Sequence, residues 1–289
     1  MKIKLLSILF LVCLISISNA GDSLFIKAEF GSFSDASSIT ICRKTFIFVA
    51  DKSQNTLYKF DLDGNLLIKS GASGFGSYEL SEPISLDATN GLDLFVCERR
   101  NNRIQKFDLN FNPILTFDFN SYNYSNQNID KVFNPGSICV LATSDIFAIY
   151  ESTKNRVVKL KTFSSIESTF GSVFGVDRLK LPTKIISGKD LDVWILDNEG
   201  KQISNYDNTG VLLNQVQIKL NSPVLSITRY EDKLYLLTQE QVLIYGLSKK
   251  AYIEGLSLQK INSKFVDIIS ASNNSFYILT KEKVYNYTN

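Results

Sequence analysis

The chain has 289 residues, 44% hydrophobic and 12% aromatic, so it can bury a substantial core and is not intrinsically disordered. It carries 31 basic and 29 acidic residues, and this small difference argues against nucleic-acid binding, which needs a basic excess. It contains no histidine, which excludes catalytic and zinc sites that depend on an imidazole.

The first 20 residues have the three parts of a secretory signal peptide. Lys2 and Lys4 form a positive region, Leu5 to Ile17 is mostly apolar, and Ser18-Asn19-Ala20 supplies the small residues of a cleavage site. The apolar run is shorter than the roughly 20 residues of a membrane span. We therefore expect cleavage before Gly21 and an extracytoplasmic location, whether periplasmic, at the cell surface or secreted.

Two alternatives exist for this segment. The apolar run could be retained as an anchor, or Cys13 could carry the lipid of a lipoprotein. Val12 disfavours lipidation, because it is bulky and β-branched where a lipid-modified cysteine has a small neighbour. Cleavage would remove Lys2 and Lys4, leaving 29 basic and 29 acidic residues.

The mature chain has three cysteines, Cys42, Cys97 and Cys139. Their number is odd, their spacing is wide, and none belongs to a C-x-x-C pair, so they form neither a disulfide framework nor a metal site. We expect buried free thiols, since unpaired cysteine behaves as a small hydrophobic residue.

A strand that ends in an acid or a threonine recurs six times. The copies are Ile47–Asp51, Phe95–Glu98, Ala148–Glu151, Trp194–Asp197, Tyr235–Thr238 and Tyr277–Thr280. A candidate strand start lies 15 or 16 residues before each closing residue, at Ala36, Pro83, Pro135, Pro182, Pro223 and Phe265. This near-constant distance predicts two strands joined by a tight turn.

Each closing residue is followed by a strand with alternating apolar and polar residues, such as Thr56–Phe60. Turn residues such as Asp61-Leu62-Asp63-Gly64-Asn65 then lead to a fourth strand. Four short strands repeated about every 45 residues predict an all-β, six-bladed β-propeller with four-stranded blades. The sixth copy lacks its fourth strand, and we expect the orphan strand Ser23–Phe30 to complete it, so that residues 21–289 form one domain.

Several segments resemble NHL repeats. They are Val49-Ala50-Asp51 with Leu57-Tyr58-Lys59-Phe60-Asp61, Asn101-Asn102-Arg103-Ile104-Gln105-Lys106-Phe107-Asp108, and the glycine-bearing connectors Gly71–Pro83 and Phe170–Pro182. The similarity is closest in the first three blades. It implies the propeller fold but does not specify a function, because similar propellers serve as scaffolds, sensors, RNA binders and lyases.

In this topology the second-to-third strand turns and the connectors between blades share one face, called here the loop face. The closing residues form a ring on it: Asp51, Glu98, Glu151, Asp197, Thr238 and Thr280. The acids either accept hydrogen bonds from their own turns or form a rim that binds a cation such as calcium. Four carboxylates on four blades are too far apart to share one ion, so we predict no metal and no cofactor.

The loop face is asymmetric, because the connectors after Asp51 and Glu98 are longer than those near the C-terminus. Its tallest part, Asn120 to Asp130, carries Tyr122 and Tyr124 among polar residues. Exposed aromatic residues with polar neighbours suit contact with a protein or a glycan. Connector length also varies for no functional reason, so the asymmetry alone does not establish a binding site.

Two functions remain. The first is a monomeric, non-enzymatic binding or scaffold propeller that recognises a protein or glycan partner with Tyr122, Tyr124 and the rim acids. The second is a metal-dependent hydrolase or lyase at the mouth of the central channel, where Asp87 and Asp267 are the available carboxylates on non-adjacent blades. The sequons at Asn123, Asn273 and Asn286 matter only in a host that glycosylates.

Overall fold

A computed structural model describes residues 22–125, 129, 131–151, 154–172, 174–175 and 178–289. The predicted signal peptide and its cleavage site before Gly21 lie outside the described residues. Within these ranges the regular secondary structure is 24 β-strands. This part of the chain contains no helix long and apolar enough to cross a bilayer.

The strands follow the repeats of the sequence. The first nine are β1 (Ser23–Phe30), β2 (Ala36–Cys42), β3 (Phe46–Asp51), β4 (Thr56–Phe60), β5 (Leu66–Ser70), β6 (Pro83–Asp87), β7 (Leu94–Glu98), β8 (Arg103–Phe107) and β9 (Pro113–Asp118). The next eight are β10 (Ile138–Val140), β11 (Ile146–Ile149), β12 (Asn155–Lys161), β13 (Ser165–Ser172), β14 (Pro182–Ser187), β15 (Val193–Asp197), β16 (Gln202–Tyr206) and β17 (Leu212–Gln217). The last seven are β18 (Ser226–Tyr230), β19 (Lys233–Leu237), β20 (Gln241–Gly246), β21 (Ala251–Leu258), β22 (Phe265–Ser272), β23 (Ser275–Thr280) and β24 (Val284–Thr288).

Four of the sheets contain four strands each, in the orders β2–β5, β6–β9, β10–β13 and β14–β17. The fifth sheet has eight strands in the order β18-β19-β20-β21-β1-β24-β23-β22. It consists of two antiparallel halves that meet where β21 lies beside β1. The chain is therefore an all-β propeller with four-stranded blades, as the repeats predict.

The N-terminal strand pairs on both of its edges. β1 is antiparallel to β24, with Phe25 opposite Thr288 and Phe30 opposite Val284, so it completes the last repeat as predicted. It is also parallel to β21, with Leu24 opposite Leu258, a contact that the sequence did not indicate. β1 thus joins the outer strands of the last two repeats.

The start of the inner strand is predicted well in four repeats and less well in two. The inner strands β2, β6, β14 and β22 begin at their predicted residues, and each first residue lies opposite its closing residue. β10 and β18 begin three residues after Pro135 and Pro223. In these two repeats the hydrogen bonds from Gly136 N to Ile149 O and from Leu225 N to Leu237 O lie between the proline and the first residue of the strand.

The core lies between consecutive repeats rather than in one central layer. The inner strands contact one another in a closed circuit, β2 to β6, β10, β14, β18, β22 and back to β2. An apolar cluster fills each interface, and the one between the sixth and first repeats joins Phe33 and Tyr58 to Tyr277. Cys42, Cys97 and Cys139 are buried free thiols, which confirms that expectation.

The outer turns depend on an aspartate. The Asp61 carboxylate accepts hydrogen bonds from the amides of Asp63 and Asn65 and from Asn65 Nδ2. These bonds, first of all the one from the Asn65 side chain, lower the pKa of Asp61. Gly64 takes a φ of 88°, which a residue with a Cβ rarely adopts, so the turn chemistry read from the sequence is the one observed.

Candidate functional site

The inner strands enclose a channel with a cup at each end. The loop-face cup has a volume of about 380 Å³, and its lining includes Arg99, Asn134, Glu151, Arg156 and Lys180. The opposite cup has a volume of about 400 Å³, and its lining includes Asp87, Cys139, Lys189 and Arg229. Both volumes are within the range of ligand pockets.

A largely buried ion pair lies between the two cups, with Asp267 buried and Lys184 partly exposed. Lys184, whose side chain lines both cups, places Nζ 2.6 and 2.8 Å from the Asp267 carboxylate oxygens. Asp267 also accepts a hydrogen bond from Ser226 Oγ at 2.6 Å and one from the Ile39 amide at 3.2 Å. The carboxylate thus connects β14, β18, β22 and β2 across the channel, and its oxygens are occupied by protein donors.

The second channel carboxylate belongs to the opposite cup. Asp87 accepts hydrogen bonds from the Thr89 amide and hydroxyl and from the Val140 amide at 2.7 Å. Its complete burial raises the pKa of the Asp87 carboxyl above the ordinary value. Asp87 and Asp267 therefore do not share a single open site. Among the described residues, no three Asp, Glu or Cys side chains form a group able to hold a metal ion.

Three of the four rim acids are buried in their own turns. Asp51 accepts hydrogen bonds from the amides of Ser34, Ser53 and Gln54, and Asp197 accepts them from Lys180, Leu181 and Gly200. Both side chains are fully buried. These are the contacts expected of acids that organise their turns and connectors, and they leave Asp51 and Asp197 no surface to offer a partner.

Glu98 holds a connector in place through Arg103. Arg103 Nε donates to the Glu98 carboxylate at 2.6 Å, and both side chains are buried. The same guanidinium donates to the carbonyl oxygens of Phe75 and Glu79, both at 2.7 Å, in the connector between β5 and β6. Burial raises the pKa of Glu98 above its ordinary value, although the hydrogen bond from Arg103 opposes this change.

Replacing Glu98 with glutamine is expected to lower the free energy of unfolding by about 2–3 kcal/mol, because a buried arginine loses its counterion while keeping carbonyl partners. This exceeds the cost of losing one hydrogen bond. Glu151 is the matched control, because its side chain is exposed, and Glu151→Gln should change stability by less than about 0.5 kcal/mol. Urea denaturation measures both. Equal losses in the two variants would contradict the role assigned to Arg103.

Glu151 is the rim acid that reaches the loop-face cup. It accepts a hydrogen bond from Asn134 Nδ2 at 3.0 Å. In the fifth and sixth repeats, Thr238 and Thr280 replace the acid, and each hydroxyl accepts a hydrogen bond from an amide of its own turn. The predicted roles of Asp51, Glu98, Glu151 and Asp197 in binding stay predictions, with Glu151 the best placed of the four.

The two tyrosines of the tall connector are packed against the protein. Tyr122 and Tyr124 are half-buried on the apolar cluster between the second and third blades, and their rings meet edge to face at 5.0 Å. The Tyr122 hydroxyl accepts from the Ile166 amide, and the Tyr124 hydroxyl accepts from the Val132 amide, both at 3.3 Å. The expectation of two exposed aromatic residues therefore differs from the structure, because a connector this long folds back over the seam between blades.

Changing both tyrosines to alanine should lower the free energy of unfolding by about 2–4 kcal/mol, since it removes two packed rings and two hydroxyl acceptors. If the two tyrosines were surface contacts, as the sequence predicted, the double alanine variant would keep the wild-type melting temperature. Thermal and urea unfolding of Tyr122→Ala with Tyr124→Ala distinguishes the two. The pair Tyr122→Phe with Tyr124→Phe keeps the rings and should recover most of the loss.

Other aromatic side chains are exposed on the loop face. Phe75 is 77% exposed, Phe174 is 73% exposed and Phe133 is 49% exposed, and all three lie in connectors between blades. Sequence reasoning missed them. The available signal was a phenylalanine beside glycine in a connector, as in Gly74-Phe75-Gly76, where a strand pattern does not account for an apolar residue.

Comparison with known proteins supports the fold. No protein-family model and no curated protein matches the sequence. A solved streptogramin B lyase is similar in structure, with a TM-score of 0.64 and 15% identity over 90% of this chain and 96% of that one. A catalytically inactive histidine-to-alanine variant of virginiamycin B lyase from Staphylococcus aureus, solved with quinupristin, has a TM-score of 0.62 and 14% identity over 89% of this chain and 81% of that one. The selenomethionine form of the Staphylococcus aureus enzyme has a TM-score of 0.61 and 13% identity over 91% and 98%.

These similarities concern the propeller architecture. At 13–15% identity they establish that the chain shares a fold with the lyases, and the chemistry has to be argued from the residues at the site.

Proposed function

We propose that this chain is an exported, non-enzymatic binding or scaffold propeller that recognises a protein or glycan partner through its loop face. The observation that carries the proposal is the combination, on one face, of a polar cup and the exposed rings of Phe75, Phe133 and Phe174. Exposed apolar surface rimmed by polar residues marks interaction sites in soluble proteins, and three connectors of this face carry an exposed phenyl ring.

The fold suits this role. Burying an exposed phenylalanine contributes about 1.5–3 kcal/mol, so a few such contacts provide measurable affinity. The connectors that present them are held to the blades, as Arg103 holds the carbonyl of Phe75, so little conformational entropy is lost on binding. Serine, asparagine and arginine side chains in the cup then select the orientation of the partner.

Capture from the native extracytoplasmic fraction tests this proposal. Immobilised residues 21–289 should retain a partner that Phe75→Ser with Phe174→Ser no longer retains. Leu67→Ser is the matched control, because Leu67 is exposed on the outer strand β5, away from the loop face. The proposal fails if both variants and the wild type retain the same components.

We also propose that the ring is six-bladed, of the NHL type, and that the protein is a monomer that binds no nucleic acid. The closed circuit of inner strands and the six sequence repeats support the blade count, with the two halves of the eight-stranded sheet as the fifth and sixth blades. An experimental structure tests the blade count, and light scattering tests the oligomeric state.

Export rests on the signal peptide and gives a direct prediction. The protein isolated outside the cytoplasm should begin at Gly21, because Ser18-Asn19-Ala20 follows the apolar run. N-terminal sequencing measures this, with Ala20→Trp as a variant that should block cleavage. An intact Met1 in a membrane fraction would show that the segment is a retained anchor.

A lyase or hydrolase at the channel mouth is the second candidate, and the similarity to streptogramin and virginiamycin B lyases favours it. One of those lyases is inactivated by loss of a histidine, and this chain has no histidine, so other residues would have to replace that chemistry. Incubation with quinupristin tests the lyase directly. Metal analysis and thermal unfolding with added calcium test a metal-dependent site, because a ligand of the folded state raises stability.

A further inference from the structure

Cationic side chains from three successive repeats line the loop-face cup. Arg99 follows the closing acid of the second repeat, Arg156 lies at the start of β12 in the third, and Lys180 lies in the connector to the fourth. Among the residues that the structure describes, the lining contains four cationic and two anionic side chains, a formal charge of +2. Lys184 is paired with Asp267. The remaining cations of the lining are Arg99, Arg156 and Lys180, against the one acid Glu151 among the described residues.

The two arginines have hydrogen-bonding capacity that the described part of the chain does not use. The Nε atoms of Arg99 and Arg156 are both buried and lack a hydrogen-bond partner among the described residues. Arg99 Nη1 is 3.8 Å from Glu82, a loose ion pair, and within the same ranges Arg156 forms no ion pair. A buried Nε–H without an acceptor is costly, and because both side chains are partly exposed, a carboxylate bound through Nε and Nη would satisfy it.

The opposite cup has the same formal charge among its described lining residues, with Lys184, Lys189 and Arg229 against Asp87, but its arginine has more acids around it. Its Arg229 also has a buried Nε without a partner, but Asp190, Asp192 and Asp232 lie close enough to act on it electrostatically. Acidic side chains thus offset the cation there, whereas among the described residues that line the loop-face cup Glu151 is the one acid besides Asp267, which is paired with Lys184. Among the described residues, two arginines with an unused Nε line the loop-face cup and one lines the opposite cup, and this difference favours the loop face for an anion.

We propose that the loop-face cup binds an acidic segment of a protein partner, whose carboxylates pair with Arg99 and Arg156 while its apolar side chains pack on Phe75, Phe133 and Phe174. This rests on the proposed binding function and specifies the partner's chemistry. A protein partner is favoured because aromatic residues with arginine are typical of the energetically dominant parts of protein interfaces. A cup of about 380 Å³ admits a short protruding segment rather than a folded domain.

The test uses triglutamate as the probe, with residues 21–289 at 25 mM salt, and follows the arginine Nε–H resonances by NMR. Wild type should show saturable shifts at millimolar probe, and Arg99→Gln with Arg156→Gln should weaken binding about tenfold or more, the loss of at least one charge-assisted hydrogen bond. Lys249→Gln, an exposed cation on the other face, should bind as wild type does. Triglutamine should not bind, and binding should weaken with added salt.

Three results would overturn the proposal: no saturable binding of triglutamate, equal binding by the double arginine variant, or tighter binding of an oligogalacturonate, which would assign the cup to an acidic glycan. The broader binding function is tested separately by capture with the Phe75→Ser and Phe174→Ser variant. Loss of capture in that variant with retention in the double arginine variant would leave the binding function standing and remove the acidic partner.

Discussion

A chain that begins at Gly31, and so lacks β1, is expected to aggregate rather than fold as a soluble monomer. β1 covers two edges, those of β24 and β21, and Leu24 is fully buried in the cluster between the fifth and sixth repeats. Its removal exposes both edges and opens the ring at the one seam where the chain ends meet, and unpaired edges template association. Gel filtration of chains beginning at Gly21 and at Gly31 measures the outcome.

Two point variants define how much of this effect comes from packing. Leu24→Ala should cost about 2–4 kcal/mol, as expected for a fully buried leucine. Phe25→Ala, on the exposed side of the same strand, should stay within about 0.5 kcal/mol. A soluble monomer with the wild-type melting temperature from the shortened chain would show that the ring closes without β1.

Asp267→Asn is expected to lower the free energy of unfolding by about 3–5 kcal/mol, the usual cost of removing one partner of a buried ion pair. Asparagine can still accept from Ser226, but the Lys184 ammonium is left inside the channel without a counterion. Four inner strands meet at this carboxylate, so the loss should affect the whole ring rather than one blade. Denaturant unfolding followed by fluorescence and by circular dichroism should show one cooperative transition, shifted to lower denaturant.

The double variant Asp267→Asn with Lys184→Met isolates the pair. If the ion pair is responsible, the double variant should be more stable than the single Asp267→Asn, because the uncompensated ammonium is gone. Lys249→Met, at an exposed lysine, controls for the substitution itself. A loss below about 1 kcal/mol in Asp267→Asn would contradict this prediction. It would show that water solvates the Lys184 ammonium adequately once the carboxylate is gone.

The candidate site was only partly predictable. The ring of closing residues is where the sequence placed it, yet burial divides it, with Asp51, Glu98 and Asp197 inside their turns and Glu151 at the cup. No local pattern indicated this division, because an acid after a strand looks the same whether its turn or a ligand satisfies it. The exposure of Tyr122 was overestimated and the exposed Phe75 was missed for a related reason, since composition does not show how a connector folds back.

Local patterns determined the all-β class, the four-stranded repeat and the pairing of Ser23–Phe30 with the last repeat, because alternation, turn residues and spacing act over a few residues. Tertiary structure alone decided the parallel contact of β1 with β21, the Lys184–Asp267 pair across the channel, and the meeting of Arg99 with Arg156 in one cup. These contacts join residues from different repeats, and their geometry depends on how the blades pack around the axis. Charge and burial at the site follow from that packing and not from any one segment of the chain.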